Sequence, residues 1–460
     1  MKRYDSYKDS GIEWIGEFPE HWELTKLKFL GDAFGGLTYS PDDVVEDEDN
    51  GILVLRSSNI QEGQLSLKDN VYVSLKISDK LTLKKGDILI CSRNGSQHLI
   101  GKNICIDERM EGNTFGAFMM IYRSSYWRFL IHFFNSPIFT SQSALFLTAT
   151  INQLTSNTIK NFWIAIPKSL EEQTQIAKYL DYKIAQVDKL ITDKQKLIEL
   201  LNEERSAMIN QAVTRGLNPT VPMKDSGIDW LGEIPGHWEI KKLKYVVSKI
   251  GSGVTPKGGS EVYQESGIAF IRSQNVYFEG FKINEIAYIT EEVHNSMSNS
   301  KLLSGDVLLN ITGGSIGRSY YFTDEFPEAN VNQHVCIIRP NANIETIYLF
   351  NLISSSIIQE QIGNCQIGGN RESVNFEQLK NFIFPLPKLD ERLCIMESIK
   401  SESKRINDII DNTNANIGLL KEYKTSLISE VVTGKVDVRS EVCDGNNVEL
   451  VFPHTEFQTN

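Results

Sequence analysis

SGIEWIGEFPEHWELTKLK, Ser10 to Lys28, returns as SGIDWLGEIPGHWEIKKLK, Ser226 to Lys244, at an offset of 216. The match runs on well past this phrase. ILVLRSSNI (Ile52–Ile60) meets IAFIRSQNV (Ile268–Val276) at the same offset, and KKGDILI, with Gly86 and Asp87, meets LSGDVLL, with Gly305 and Asp306, at 219. IKNFWIAIPK then meets LKNFIFPLPK at 220, pairing Lys160 with Lys380 and Pro167 with Pro387. Small steps in the offset mark insertions and deletions in loops. The chain is one plan written twice.

Each PK is followed by a long polar-apolar stretch free of proline, Glu171–Val213 and Asp390–Val432. Both predict helices of about 40 residues, roughly 60 Å at 1.5 Å per residue. In the first, Leu180, Ile184, Val187, Ile191, Lys194, Ile198, Leu201, Arg205, Met208 and Ala212 alternate steps of four and three, which is a heptad seam. A shift of 219 gives Ile399, Ser403, Ile406, Ile410, Thr413, Ile417, Leu420, Lys424, Leu427 and Val431. The polar breaks recur in register, Lys194 with Thr413 and Arg205 with Lys424. Seams in matching register predict that the helices pack on each other as an antiparallel coiled coil, with the breaks fixing the register.

The sequence therefore reads as a first globule (1–168), a long helix (169–216), a link (217–222), a second globule (223–388), a second long helix (389–435) and an acidic tail (436–460) expected to be mobile. Short β-branched strands, turn signals such as RNGS and TGGS, and a few short helices make each globule mixed α+β, within the α/β class. Antiparallel helices would relate the globules by a pseudo-twofold axis, and the terminal TGKVDVR would return the chain toward the first globule.

Composition restricts the function. With 41% hydrophobic residues and no run approaching a membrane span, the chain reads as a cytoplasmic globular protein. Six cysteines without CxxC spacing predict reduced, mostly buried thiols. The net charge of −12 gives no support for phosphate binding, but much of it sits in the run Asp42, Asp43, Glu46, Asp47, Glu48, Asp49 and in the tail, leaving a body near neutrality that can carry basic patches.

Catalytic constellations are missing. His21 and His237 stand beside Trp22 and Trp238 with no carboxylate or cysteine at metal-ligand spacing, so neither a catalytic residue nor a metal is expected. NGSQHLIGKN departs from a phosphate loop in spacing and lacks its Ser or Thr; NPTV at Asn218 lacks the aromatic that stacks a flipped base. What remains fits recognition, because Arg, Lys, Asn and Gln in polar loops supply phosphate contacts and bidentate contacts to bases. The candidates are Arg56, Arg93, Asn94, Gln97 and Lys102 in the first copy, and Lys257, Arg272, Arg318, Asn332, Gln333 and Arg371 in the second.

The doubled SGI(E/D)W(I/L)GE(F/I)P-x-HWE phrase, the junction around Lys160–Asp181 and the globule-helix-globule-helix order resemble the specificity subunits of bacterial type I restriction-modification systems. The second junction departs from the pattern, with DERLCIMESI in place of EEQTQIAKYL. The resemblance implies two target recognition domains, each reading half of a bipartite DNA site, with the helices as spacer and docking surface. It also implies two modification subunits that use S-adenosylmethionine, and motor-nuclease subunits that use ATP and Mg2+, the chain itself being non-catalytic. Two rivals are kept: a duplicated methyltransferase or nuclease acting alone, and a coiled-coil scaffold without DNA readout.

Residues shared by two modules that read different sequences are poor base readers. Trp14, Trp22, Trp230 and Trp238 are therefore expected in packing or partner docking, with packing favoured. Arg56 and Arg272 are expected to clamp phosphates or to be buried structural arginines. Base readers are expected where the copies differ, in Asn94–Lys102 against Thr312–Arg318 and in Thr114–Met119 against Asn330–Val335.

Overall fold

The computed structural model describes residues 2–46, 49–61, 63–147, 153–323, 326–366 and 373–441. It divides into two units. One holds the described residues within 1–195 and 414–460, the other those within 196–413, so each contains one globule, the start of its own long helix and the end of the other.

Within the first unit, an antiparallel sheet runs in the order Asn103–Cys105, Ile88–Cys91, Met119–Arg123, Asp32–Gly35. Its central strands, ILIC and MMIYR, are buried on both faces except at Arg123, so they read as apolar runs without alternation. A second sheet pairs Ile52–Leu55 parallel with Thr114–Phe115 and antiparallel with Tyr72–Val73. Glu23–Lys26 pairs with Trp163–Ile166, which ties the opening phrase to the strand leading into the long helix.

The second unit repeats this topology, except that the edge strand Val44–Val45, which pairs with Tyr72–Val73 in the first, has no counterpart among its described strands. Its main sheet runs Ser319–Tyr321, Val307–Asn310, Val335–Pro340, Val247–Ser252. Ile268–Ile271 pairs parallel with Ala329–Val331 and antiparallel with Ala287–Ile289, and Glu239–Lys242 pairs with Ile383–Leu386. The α+β expectation holds in both globules.

The long helices span Leu170–Arg215 and Leu389–Val432. Their first turns carry Glu171 and Glu172, or Asp390 and Glu391, which complement the positive helix start. Each ends on a left-handed glycine, Gly216 at φ +77° and Gly434 at φ +70°. Every position of both seams is buried or half-buried, as the heptad reading requires. Helix direction is visible inside each unit. In the first, Asp188 meets Lys424 at 2.7 Å, and Ile176 and Leu180 share a core with Leu427 and Val431. In the second, Arg205 donates to Asn407 at 2.8 Å, Glu204 meets Arg405 at 2.9 Å, and Ala212 and Val213 share a core with Ile395 and Ile399. Early residues of one helix meet late residues of the other, so the pairing is antiparallel. Shifted by 219, Arg205 and Asn407 are the counterparts of Lys424 and Asp188. The same polar contact occurs twice.

The tail departs from its expectation at its first residues. Val436 and Val438 are buried in the first core, the Asp437 amide donates to the Lys2 carbonyl at 2.9 Å, and Tyr7 Oη donates to the Gly434 carbonyl at 3.1 Å. Two apolar side chains at i and i+2 present one face to a core, which outweighs the acidic composition that suggested mobility. Residues 442–460 lie outside the described part of the chain.

Candidate nucleic-acid interface

The doubled tryptophan phrase resolves into one buried arrangement made twice. Trp22 and Trp238 are fully buried. Trp22 Nε1 donates to Glu172 at 3.0 Å while His21 Nε2 lies 3.0 Å from the same carboxylate. Trp238 Nε1 donates to Glu391 at 3.0 Å, with His237 Nε2 at 2.7 Å. The carboxylate missing at local spacing arrives from the first turn of the long helix, about 150 residues away, and locks the helix onto its globule. Packing is the role of these two tryptophans. Trp14 is half-buried against the first core, whereas Trp230 is 42% exposed and leaves the docking alternative open for its position.

Glu172 and Glu391 were not singled out in the sequence. Their signal was their shared place in EEQ and DER. The departure of the second junction has a structural account as well: Gln173 Nε2 donates to the Pro167 carbonyl at 2.7 Å, and Arg392 at the equivalent position donates to Pro387 at 2.9 Å. Arg392 keeps the contact and adds a bidentate pair with Glu345 at 2.8 and 3.1 Å.

A second shared device anchors the main sheet. Asp87 is buried and takes two bonds from Arg123, both 2.6 Å, and Asp306 takes 2.7 and 2.8 Å bonds from Arg339. Each aspartate also caps the turn before its strand by accepting from the amide of Lys84 or Leu303, both at 2.8 Å. The carboxylate hydrogen bonds hold both guanidiniums above their ordinary range.

The candidate contact residues separate into structural and displayed groups. Arg56 meets Asp69 at 2.8 Å and its carbonyl at 3.0 Å; Arg272 donates to the Glu285 carbonyl at 2.9 Å. Both bind loop segments through a terminal nitrogen, so these shared arginines hold loops, while the buried Nε of each has no hydrogen-bond partner among the described residues. Lys102 turns inward, its ammonium donating to the Ser57 and Ile60 carbonyls, the latter at 2.8 Å, and burial lowers its pKa. Asn332 is buried and accepts from the His334 amide at 3.2 Å. Asn94 is half-buried and donates to Ser57 Oγ at 3.0 Å. Arg93, Gln97, Lys257 and Gln333 are exposed. Arg318 stands where Lys102 does in the first copy, yet its guanidinium lies 4.5 Å over the Tyr277 ring, where the Lys282 ammonium also sits at 4.5 Å. Lys282 first, then Arg318, holds the Tyr277 phenol below its usual range. Arg371 lies outside the described residues.

The residues just ahead of two expected reading segments, Ser92 and Arg93 before Asn94–Lys102 and Ile311 before Thr312–Arg318, meet the other two segments at Phe118 and His334. In the first globule, the loop after strand Ile88–Cys91 and the turn before strand Met119–Arg123 are zipped together, Ser92 and Arg93 amides donating to the Phe118 carbonyl at 2.9 and 3.1 Å. In the second, the Ile311 amide donates to the His334 carbonyl at 3.0 Å. Segments far apart in sequence meet at one corner of each main sheet.

A family model described as the type I restriction modification DNA specificity domain matches residues 19–200 and again 235–428. The two matches cover most of the chain, one per copy. This chain belongs to that family. A putative type I restriction enzyme MjaX specificity subunit of Methanocaldococcus jannaschii is 26% identical over 449 residues, covering 93% of this chain and 96% of the relative. The EcoKI specificity subunit of Escherichia coli K12 is 23% identical over 440 residues, covering 92% and 90%. The MjaVIII specificity subunit, also of M. jannaschii, is 29% identical over 285 residues, covering 61% of this chain and 64% of the relative. A solved chain from a study of assembly and conformational transition in the type I restriction-modification system shares the fold at a TM-score of 0.65 and 14% identity, covering 91% of this chain and 99% of that one.

Among the described residues, no three of His, Cys, Asp and Glu cluster closely enough to hold a metal, and no helix is long and apolar enough to cross a membrane. Burial pushes the Cys105 and Cys336 thiols up to about 12, so neither is a nucleophile at neutral pH.

Proposed function

We propose that this chain is the DNA-reading specificity subunit of a type I restriction-modification complex, each globule recognising one half of a bipartite duplex site. The observation that carries the reading is one topology made twice, with the buried Trp-Glu and Asp-Arg contacts repeated and different side chains displayed at the same corner. Identical scaffolds with different displays suit two different half-sites met by equivalent partners. A self-sufficient enzyme would need a site in each copy, and the most prominent His-carboxylate groups here hold a tryptophan and a helix start.

The long helices act as spacer between half-sites and as docking surface for two modification subunits. Large apolar side chains left outside the seam support docking, with Leu190, Leu197, Leu200 and Leu419 exposed by 42 to 62%. The modification subunits bind S-adenosylmethionine and methylate adenine N6; motor-nuclease subunits use ATP and Mg2+. None of these cofactors is assigned to this chain.

Globule exchange tests the reading. Replacing Met223–Pro387 by the equivalent globule of a related subunit, in complex with the modification subunits, should change one half of the methylated site and keep the other. A simultaneous change of both halves, or of neither, would overturn it.

A further inference from the structure

At the corner where the two loops meet, one backbone frame is built in both globules. The Leu154 amide donates to the Ser92 carbonyl at 2.8 Å, and Ser92 donates to Phe118 at 2.9 Å; the Val374 amide donates to the Ile311 carbonyl at 3.0 Å, and Ile311 donates to His334 at 3.0 Å. Isolated bridges join Arg93 to Gln153 and Thr312 to Ser373. Backbone hydrogen bonds make this frame, with Ser92 Oγ adding one to the Phe118 carbonyl at 2.9 Å, so the side chains at 93, 118, 312 and 334 can be exchanged without touching it.

The side chains carried by the frame differ in kind. Arg93 and Phe118 occupy the same two positions as Thr312 and His334, at the offsets of 219 and 216 that run through the repeat. In the first globule the Arg93 guanidinium lies 5.3 Å over a Phe118 ring that is 58% exposed, and among the described residues it has no hydrogen-bond acceptor. A planar cation on an apolar ring is held flat while its donors stay available. In the second globule the same corner carries a chain of side-chain hydrogen bonds. Thr255 donates to Gln333 Oε1, Gln333 Nε2 lies 3.0 Å from His334 Nε2, and His334 Nδ1 lies 2.6 Å from Thr312 Oγ1. The amide can only donate to Nε2, so Nδ1 carries the ring proton and donates to Thr312. That leaves the Thr312 hydroxyl proton as the donor at the end of the chain.

We propose that Arg93 with Phe118, and Thr312 with His334, are the specificity-determining side chains of the two globules. This rests on the reading of the chain as a DNA-specificity subunit and deepens it to named positions and base chemistry. Arg93 offers the fork that fits guanine O6 and N7, with Phe118 as its backing. Thr312 offers one oriented donor to a base acceptor, with Gln333 and His334 fixing its direction. Two globules that share a frame and differ at these positions read different half-sites.

The test uses the subunit assembled with its modification subunits, a library of duplexes randomised across both half-sites, and sequencing of the methylated adenines. Arg93→Ala should lower preference for guanine at one position of one half-site by roughly ten- to a hundredfold and leave the other half unchanged. Thr312→Val, which keeps shape and removes the donor, should relax one position in the other half only. An unchanged base profile in either variant, with the melting temperature of the complex preserved, would overturn the proposal for that globule. A loss of binding uniform across the library, with the slope of log affinity against log salt reduced by about one, would make Arg93 a phosphate contact and overturn its role as a reader. Arg93→Lys guards against misfolding, since it keeps charge and stem but loses the fork; an unchanged guanine preference in it also counts against the proposal. Failure of whole-globule exchange to move a half-site would instead sink the functional reading beneath.

Discussion

Lys102 in the first globule and Arg318 in the second leave the same point of the same sheet, yet one folds inward onto two loop carbonyls and the other lies over the ring of a half-buried tyrosine. Elsewhere in each globule, Trp22 and Trp238, Glu172 and Glu391, and Asp87 and Asp306 make matching contacts in both copies. The difference lies in burial. A buried polar group must find its partner or cost stability, so these buried pairs are kept in both copies. At an exposed corner water satisfies whatever is displayed, and the copies are free to differ.

Stability measurements can break this comparison. Trp22→Ala and Trp238→Ala should each cost about 3–5 kcal/mol through the cavity left behind and the indole hydrogen bond lost from a carboxylate that keeps its histidine, read as loss of the thermal transition of that globule. Unequal effects would mean that the two buried arrangements are not equivalent.

Asp87→Ala and Asp306→Ala should each cost about 3 kcal/mol, toward the lower end for a broken buried pair, because Arg123 and Arg339 keep about a quarter of their surface in water. Denaturant titration should give values within about 1 kcal/mol of each other.

Lys102 and Arg318 should separate where the previous pairs agree. Lys102→Met should destabilise by about 1–3 kcal/mol, since it strips a charged donor from the Ser57 and Ile60 carbonyls. Arg318→Met should stay within about 0.5 kcal/mol in the same titration and weaken duplex binding instead. Equal destabilisation by both would remove the distinction between the inward and the displayed cation.

The smallest effect belongs to the helices. Double-mutant cycles on Asp188 with Lys424 and on Arg205 with Asn407 should each give a coupling of about 0.2–1 kcal/mol, because both contacts lie at partly exposed positions. Coupling in one pair alone would show that the repeated register is not energetically repeated.

The sequence by itself determined the duplication, the two helices and their inward faces, because a heptad seam is local: each residue's side is set by its distance along one helix. It also marked where the copies diverge, at segments that begin just after Arg93 and Ile311, since divergence is visible without coordinates. Tertiary structure alone decided which polar residues are displayed. Composition could not turn Lys102 inward, supply Glu172 to Trp22 across 150 residues, or bury Val436 and Val438 in a segment that reads as acidic tail. Each of these depends on which distant segment arrives beside a side chain, and periodicity carries no record of that.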